Sequence, residues 1–478
     1  MSYTYMPSSL PLPSSHTQLF PSAMCASLDL RQFLKLFLKL GAAFKDLALP
    51  SGRKRKFYER IFCPLVTLWG MVFQRLLADP TLEKVVVSFA HGKADVLRPG
   101  RKGKKGLSKK MKSRRTTSFC NARTRLPLEL IQKVFIELPA LLCQKITGRS
   151  WKGWNVLLLD GSTVRLPPLG DIPKSFKPHS NQHKCHWCLM RVVVGFCLRS
   201  GLALGCTLGS QTTSEQILAC GLILAAQAKT LIVGDRNFGV FRIAQVARQA
   251  KAQVLVRLTK ARALRLARQA LVSGLDLKVL WTHSRHDKLQ PKCSAQPVEG
   301  RLIVCKIRRP GFRPFDLYLF TTLVDQELYS VQELVALYGL RWHVELNLRY
   351  LKAQMNLGFL RCKSAAMAQK EWYAGLIAYN LIRAMMLLAA TKALLDPLSL
   401  SFSSSAREVL EVLMEWAKGE SFDWEKVLKD IATCRLPKRK QPRPNEPRLV
   451  RHVRETFGPL RGSRQAARKK LKKVSAKC

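Results

Sequence analysis

Apolar positions along this chain change their period several times, and each change predicts a different element. Leu30, Phe33, Leu34, Phe37 and Leu38 recur at helical spacing, and Ile61 to Leu77 keeps the same rhythm, so the stretch 27–90 reads as helices. From Trp154 the pattern shortens. Asn155 to Asp160 is a brief apolar run ending in an acid, which predicts a buried strand with a carboxylate at its tip. Leu189 to Leu198 and Leu202 to Leu208 are two further strands, separated by a turn at Ser200-Gly201. Ser214 opens a helix with Glu215 in its first turn, running to about Ala228. Thr230 to Asp235 is again a strand ending in an acid. A helix from Phe241 to Ala250 and a strand from Gln253 to Leu258 follow. Strands that first form hairpins and then alternate with helices indicate a mixed α/β sheet. Leu275 to Trp281, Arg301 to Ile307 and Asp316 to Leu323 break that alternation as a β-rich insertion. Val331 to about Asn356 then predicts one long helix, and Ala365 to about Leu395 a second, nearly apolar one.

These shifts divide the chain. A Ser- and Pro-rich flexible N-terminus occupies 1–26, and a helical basic region occupies 27–149 with a flexible loop at 98–115. The first part of the α/β core is 150–260, the β-rich insertion 261–330 and the helical second part of the core 331–396. A helical C-terminal region (397–434) and a basic disordered arm (435–478) complete the order.

Charge narrows the function. The 478 residues hold 81 Lys and Arg against 31 Asp and Glu, a net +50, so a neutral metabolic enzyme is not the default. An excess of this size points to a polyanion: DNA, RNA or an anionic membrane surface. The 47% apolar share excludes a disordered chain. Ten Lys and Arg fall within 98–115 without an acid, Arg53 to Lys56 form a basic run, and 435–478 carries sixteen against Glu446 and Glu455. The most apolar windows, Ile217 to Val233 and Trp372 to Ala390, contain Gln227 and Lys229, and Asn380 and Arg383, so they read as buried elements rather than membrane spans. No signal peptide is expected, and fourteen scattered Cys suit reduced thiols in a cytoplasm. Neither a GxxxxGK phosphate loop nor a GxGxxG after a strand is found.

Two carboxylates at neighbouring strand ends repel each other, and burial raises their pKa. A divalent cation relieves both problems, and Mg²⁺ prefers a few carboxylates plus water and phosphate oxygens. Asp160 and Asp235 therefore suggest a site for phosphodiester chemistry, although strand-end acids also cap loops. On a continuous helix, Tyr338, Arg341, Glu345 and Lys352 share an arc of about 60°, beside an apolar stripe of Leu337, Leu340, Val344, Leu348 and Leu351. Glu345 would complete a metal site, Arg341 and Lys352 would hold phosphates, and Tyr338 would stack or hydrogen-bond. The plainer alternative is an amphipathic helix with an intrahelical Arg341–Glu345 pair. Arg236 is either a phosphate contact or a surface residue. Glu215 reads as a helix-start charge in preference to an auxiliary acid. The run His183-Lys184-Cys185-His186-Trp187-Cys188 lacks a second ligand pair and reads as core or loop thiols rather than zinc ligands.

Three motifs together resemble the DDE transposases of bacterial insertion sequences. They are Asp160-Gly161-Ser162-Thr163 after a strand, Gly234-Asp235-Arg236-Asn237-Phe238 after a strand, and Tyr338, Arg341, Glu345 and Lys352 on a helix. The last spacing is similar to the Tyr-Arg-Glu-Lys signature of the insertion-sequence-four family. The resemblance spans roughly 150–395. It implies a ribonuclease H-like core, Asp160, Asp235 and Glu345 as ligands of Mg²⁺ or Mn²⁺, and Tyr338, Arg341 and Lys352 gripping phosphates. It implies cleavage of double-stranded DNA at the element's terminal inverted repeats and joining to target DNA. It further implies a homodimer on DNA, in the cytoplasm at the nucleoid. Asn237 departs from the family, which often has Gly there. Some relatives hold a flipped base with an aromatic in the insertion, but Trp281 reads as core. The rival readings are a nuclease or resolvase on the same core that does not join ends, and a non-catalytic basic DNA-binding protein.

Overall fold

The computed structural model describes residues 61–97, 106–145, 151–178, 187–285, 287, 295–309, 312–421 and 423–437, and four isolated positions at 463, 465, 466 and 469. The predicted helix around Leu30 to Leu38, the Arg53 to Lys56 run, His183 to His186 and nearly all of the C-terminal arm lie outside the described residues.

Helices α1 (Pro64–Leu76), α2 (Leu82–Ala90), α3 (Leu107–Lys110), α4 (Thr117–Arg125) and α5 (Leu128–Lys145) come first. The sheet begins with β1 (Asn155–Leu166), the single turn α6 (Ile172–Ser175), β2 (Cys188–Cys197) and β3 (Ala203–Ser210). Next come α7 (Glu215–Leu224), β4 (Thr230–Gly234), α8 (Phe241–Gln249), β5 (Gln253–Arg257) and α9 (Lys260–Ala267). Strands β6 (Asp276–Trp281), β7 (Val298–Arg309) and β8 (Phe312–Thr321) precede α10 (Val331–Gly339), α11 (Trp342–Arg349) and α12 (Ala365–Lys392). Helices α13 (Phe402–Lys418) and α14 (Trp424–Thr433) end the described fold.

All eight strands form one sheet in the order β3-β2-β1-β4-β5-β8-β7-β6. β1, β2 and β3 are an antiparallel meander, while β4 and β5 run parallel to β1. This antiparallel meander followed by two parallel strands is the ribonuclease H-like core. The β-rich insertion does not interrupt the sheet but extends it, because β8 pairs antiparallel with β5 and β7 and β6 continue outward. Side chains alternate across a strand, and β1 divides accordingly. Leu158 joins one core with the long helices, whereas Leu157 and Leu159 join the other with α7, α8 and Trp281. Trp281 is a core residue, packed edge-on against Phe320 at 4.7 Å.

Helix α12 is the only one among the described residues long and apolar enough to cross a membrane, and 94% of its most apolar window is buried inside the protein. Its polar groups have partners. Asn380 accepts from the Ala203 N–H and donates to the Ala203 carbonyl, both at 2.8 Å. Glu371 pairs with Arg75 of α1 at 2.9 Å and with Arg123 of α4, which fastens the N-terminal helices to the core.

Three expectations need correction. Asp160 is not at a strand tip, since β1 continues to Leu166. The loop assigned to 98–115 contains a helical turn at Leu107–Lys110 with Leu107 fully buried, and Asp95 accepts from the Ser108 N–H at 2.8 Å. The single helix from Val331 is three pieces. At its first joint the amides of Leu340, Arg341, His343 and Val344 reach back only three residues, the tighter 3₁₀ pattern, directly after Gly339. At its second, Tyr350–Gln354 forms a π-helical turn. The apolar stripe survives both joints: Leu337, Val344, Leu348 and Leu351 are buried, and Leu340 packs at the core's edge.

Candidate active site

β1 and β4 pair in register until Leu159 stands opposite Gly234. There β4 ends, while β1 continues against β2 for seven more residues, Asp160 to Leu166. The next residue on each strand is an acid, so Asp160 and Asp235 leave adjacent strands about 4.8 Å apart where the sheet opens. The turn after β4 is tight. A Cβ on Gly234 would stand 2.9 Å from that of Phe238, and fully buried Phe238 anchors the turn. Within it the Asn237 N–H donates to Asp235 Oδ1 at 2.8 Å. Asp160 is fixed in a similar way, its Oδ1 accepting from the Gly161 N–H at 2.8 Å.

Helices α10 and α11 close over the same face of β1 that carries Leu158, Asp160 and Ser162. Arg341 Nη2 donates to Glu345 Oε1 at 2.5 Å, so the intrahelical pair is formed. Lys352, carried by the π-helical turn, donates from Nζ to Ser162 Oγ at 3.1 Å, two residues beyond Asp160 on the same face. Tyr338 packs at the core's edge, and burial pushes its phenol up. Arg236 is exposed on the turn after Asp235.

Electrostatics tie these groups together. The Asp160 carboxyl is pushed up to about 6, first by burial and then by Asp235 and Glu345; the Gly161 N–H and Arg341 pull the other way. Burial works against the Arg341 guanidinium, but Tyr338, Glu345 and Asp160 together hold it charged. Burial and then Arg165 lower the Lys352 ammonium.

Asp235 and Glu345 therefore both act on Asp160 where the pairing of the central strands β1 and β4 ends. The three acids are not drawn into a ready ligand shell: among the described residues no group of three or more His, Cys, Asp or Glu is positioned to hold a metal ion. Glu345 instead faces Arg341. The donor chemistry nonetheless fits a hard divalent cation, which would relieve the crowding of negative charge around Asp160.

The sequence reading assigned no site role to three residues here. Ser162 was visible only as part of a motif, although its i+2 spacing from Asp160 put it on the same face. Arg257, at the end of β5, lies within the field of Tyr338 and beside the Phe315 ring at 5.5 Å, with Nε buried and without a hydrogen-bond partner. Its signal was a basic residue ending the strand next to the one that leads into Asp235. Glu215, read as a helix-start charge, does sit in the first turn of α7, but its Oε2 also accepts from Asn237 Nδ2 at 2.7 Å.

The family described as Transposase DDE domain matches residues 151–381, which takes in all three acids. The Transposase InsG for insertion sequence element IS4, from Escherichia coli strain K12, is 26% identical over 336 residues, covering 68% of this chain and 74% of that protein. A piggyBac transposase synaptic complex with hairpin DNA aligns over 88% of each chain at 12% identity and a TM-score of 0.42, a level of likeness that decides nothing here. The Transposase DDE domain carries with it DNA as partner and a dependence on divalent metal. On the domain match and the insertion-sequence relative together, this chain is similar to the DDE transposases of the insertion-sequence-four family.

Proposed function

We propose that this transposase cleaves DNA at the terminal inverted repeats of its element and joins the freed ends to target DNA, with Asp160, Asp235 and Glu345 holding two Mg²⁺ or Mn²⁺ ions. The observation that carries this reading is the placement of the largely buried Asp160 beside two further acids, one following the end of its paired neighbour β4 and one on a separate helix. When bound, such ions promote ionisation of the attacking hydroxyl and offset charge on the leaving oxygen.

The chain's own groups bind and orient. In the first displacement a water oxygen bonds to phosphorus as the P–O3′ bond breaks, leaving a 3′-hydroxyl. In the second that hydroxyl attacks a target phosphodiester and expels the target's own 3′-oxygen. Arg341 offers a planar fork suited to two phosphate oxygens. Its transfer from Glu345 to phosphate would free that carboxylate for metal, so substrate arrival and assembly of the ligand set are coupled. Lys352 holds a second phosphate from beside Ser162, and Tyr338 braces the strand. Arg236 reaches the backbone from the exposed turn.

The region 27–149 and the arm 435–478 supply sequence-independent affinity through their excess charge. Two ends must be brought together, so the DNA complex is a homodimer, formed in the cytoplasm at the nucleoid. The test combines the full chain, Mg²⁺, an oligonucleotide bearing the inverted repeat that flanks the reading frame, and supercoiled plasmid. Oligonucleotide covalently joined to plasmid is the expected product. Cleaved oligonucleotide without joining would instead indicate a nuclease or resolvase, and binding alone a non-catalytic protein.

A further inference from the structure

Glu215 lies on the opposite face of β1 from Asp160, yet it touches both strand ends that carry the aspartates. Its carboxylate rests against the bare backbone of Gly161: a Cβ there would stand 2.3 Å from Glu215 Cδ and 2.6 Å from its Oε1. Only glycine lets the acid approach the residue after Asp160 so closely. Across the gap, Asn237 Nδ2 donates to Glu215 Oε2 at 2.7 Å. The neighbouring Gln216 Nε2 donates to the Asn237 carbonyl at 2.9 Å. Asn237 in turn donates its N–H to Asp235 Oδ1 at 2.8 Å.

A continuous path therefore runs from the β1 backbone beside Asp160, through Glu215 and the Asn237 side chain, to the Asp235 carboxylate. The Ser214 cap fixes the start of α7, its hydroxyl accepting from the Ile217 N–H at 3.3 Å. Arg191 on β2, with Nε 4.0 Å from Glu215 Oε1, offsets the acid's charge. A glycine at 237 would have no side chain to offer, so the bond to Glu215 depends on Asn237.

We infer that Glu215, through Asn237, is a positioning residue that sets the separation and orientation of Asp160 and Asp235 for metal. This rests on the proposal that those aspartates are metal ligands. A shift in the Asn237 turn would carry the Asp235 carboxylate with it. Loss of a group that orients a ligand typically weakens metal binding by about 10- to 100-fold.

The test uses the full chain on end-bearing DNA, with Mn²⁺ binding read from the electron paramagnetic resonance signal of the free ion. DNA binding in EDTA is measured alongside. E215A and N237G each weaken Mn²⁺ binding by about tenfold or more, and the double variant is no worse than the worse single, as for two residues acting through one bond. N237D sets two carboxylates against each other and lowers Mn²⁺ binding further. E215Q/N237D restores it, because the glutamine amide then donates to the aspartate and the bond is re-formed in reverse. DNA binding in EDTA stays unchanged throughout. Additive effects of E215A and N237G, or failure of E215Q to rescue N237D, overturn the pairing, whether or not E215A folds. D160N separates the two levels. If it binds Mn²⁺ as the parent does, the metal-site proposal falls. If it loses Mn²⁺ while E215A does not, only the positioning role falls.

Discussion

Asp160 shows how one residue records its neighbours. Its carboxyl moves from 3.8 to about 6, chiefly through burial. The folded state thus binds a proton that the unfolded chain releases between these values. The sign follows from that: without metal, stability falls as pH rises through the window, by about 3 kcal/mol. Asp160→Asn removes the charge, so in EDTA at pH 7.5 its thermal midpoint should exceed that of the parent, and the gap should close towards pH 4. Equal midpoints at both pH values would show that Asp160 bears no such strain. The sequence made the two aspartates visible because each ends a run of apolar residues paired with the other's strand. It hid Arg257 and the Glu215–Asn237 bond, because neither depends on spacing along one element. They arise where the β2, β4 and β5 neighbourhoods meet.

At the scale of elements, the helical stretch from Val331 to Gln354 carries the argument. Its apolar stripe was legible, since Leu337, Val344, Leu348 and Leu351 recur at helical spacing and are buried. Its two joints were not. Gly339 gave a hint of the first, but the π-helical turn rests on a contact from α12. There the Arg383 guanidinium, 3% exposed, donates to Asn347 Oδ1 at 2.6 Å and faces the Tyr350, Tyr379 and Phe402 rings within 5.5 Å. A side chain thirty-six residues away in sequence thereby grips the segment between Glu345 and Lys352. Arg383→Met strands buried Asn347 and should cost about 2–5 kcal/mol in denaturant unfolding. A loss under about 0.5 kcal/mol, the range of ordinary surface changes, would mean that the contact holds nothing in place.

Over the whole molecule two long-range facts dominate. The first is the sheet. The strands of the β-rich insertion were readable one by one, but their attachment to β5 through β8 was not, because pairing partners more than fifty residues apart leave no local pattern. The second is the charge of +50, legible at once and spread over segments with few acids. Binding to duplex DNA should therefore weaken steeply with salt. Removing 435–478, which holds sixteen basic residues against two acids, should flatten the plot of log affinity against log salt by several units. An unchanged slope would place the DNA contacts elsewhere on the surface.

The most direct test of the central claim is a single-turnover assay on end-labelled, pre-cut transposon DNA with a target plasmid, comparing the parent with Asp160→Asn, Asp235→Asn and Glu345→Gln in Mg²⁺ and in Mn²⁺. Each variant should retain DNA binding while losing joining by about a thousandfold or more, as expected for members of one catalytic unit. Joining at near-parental rates by any of the three would contradict the account, because that acid would then have no part in the chemistry.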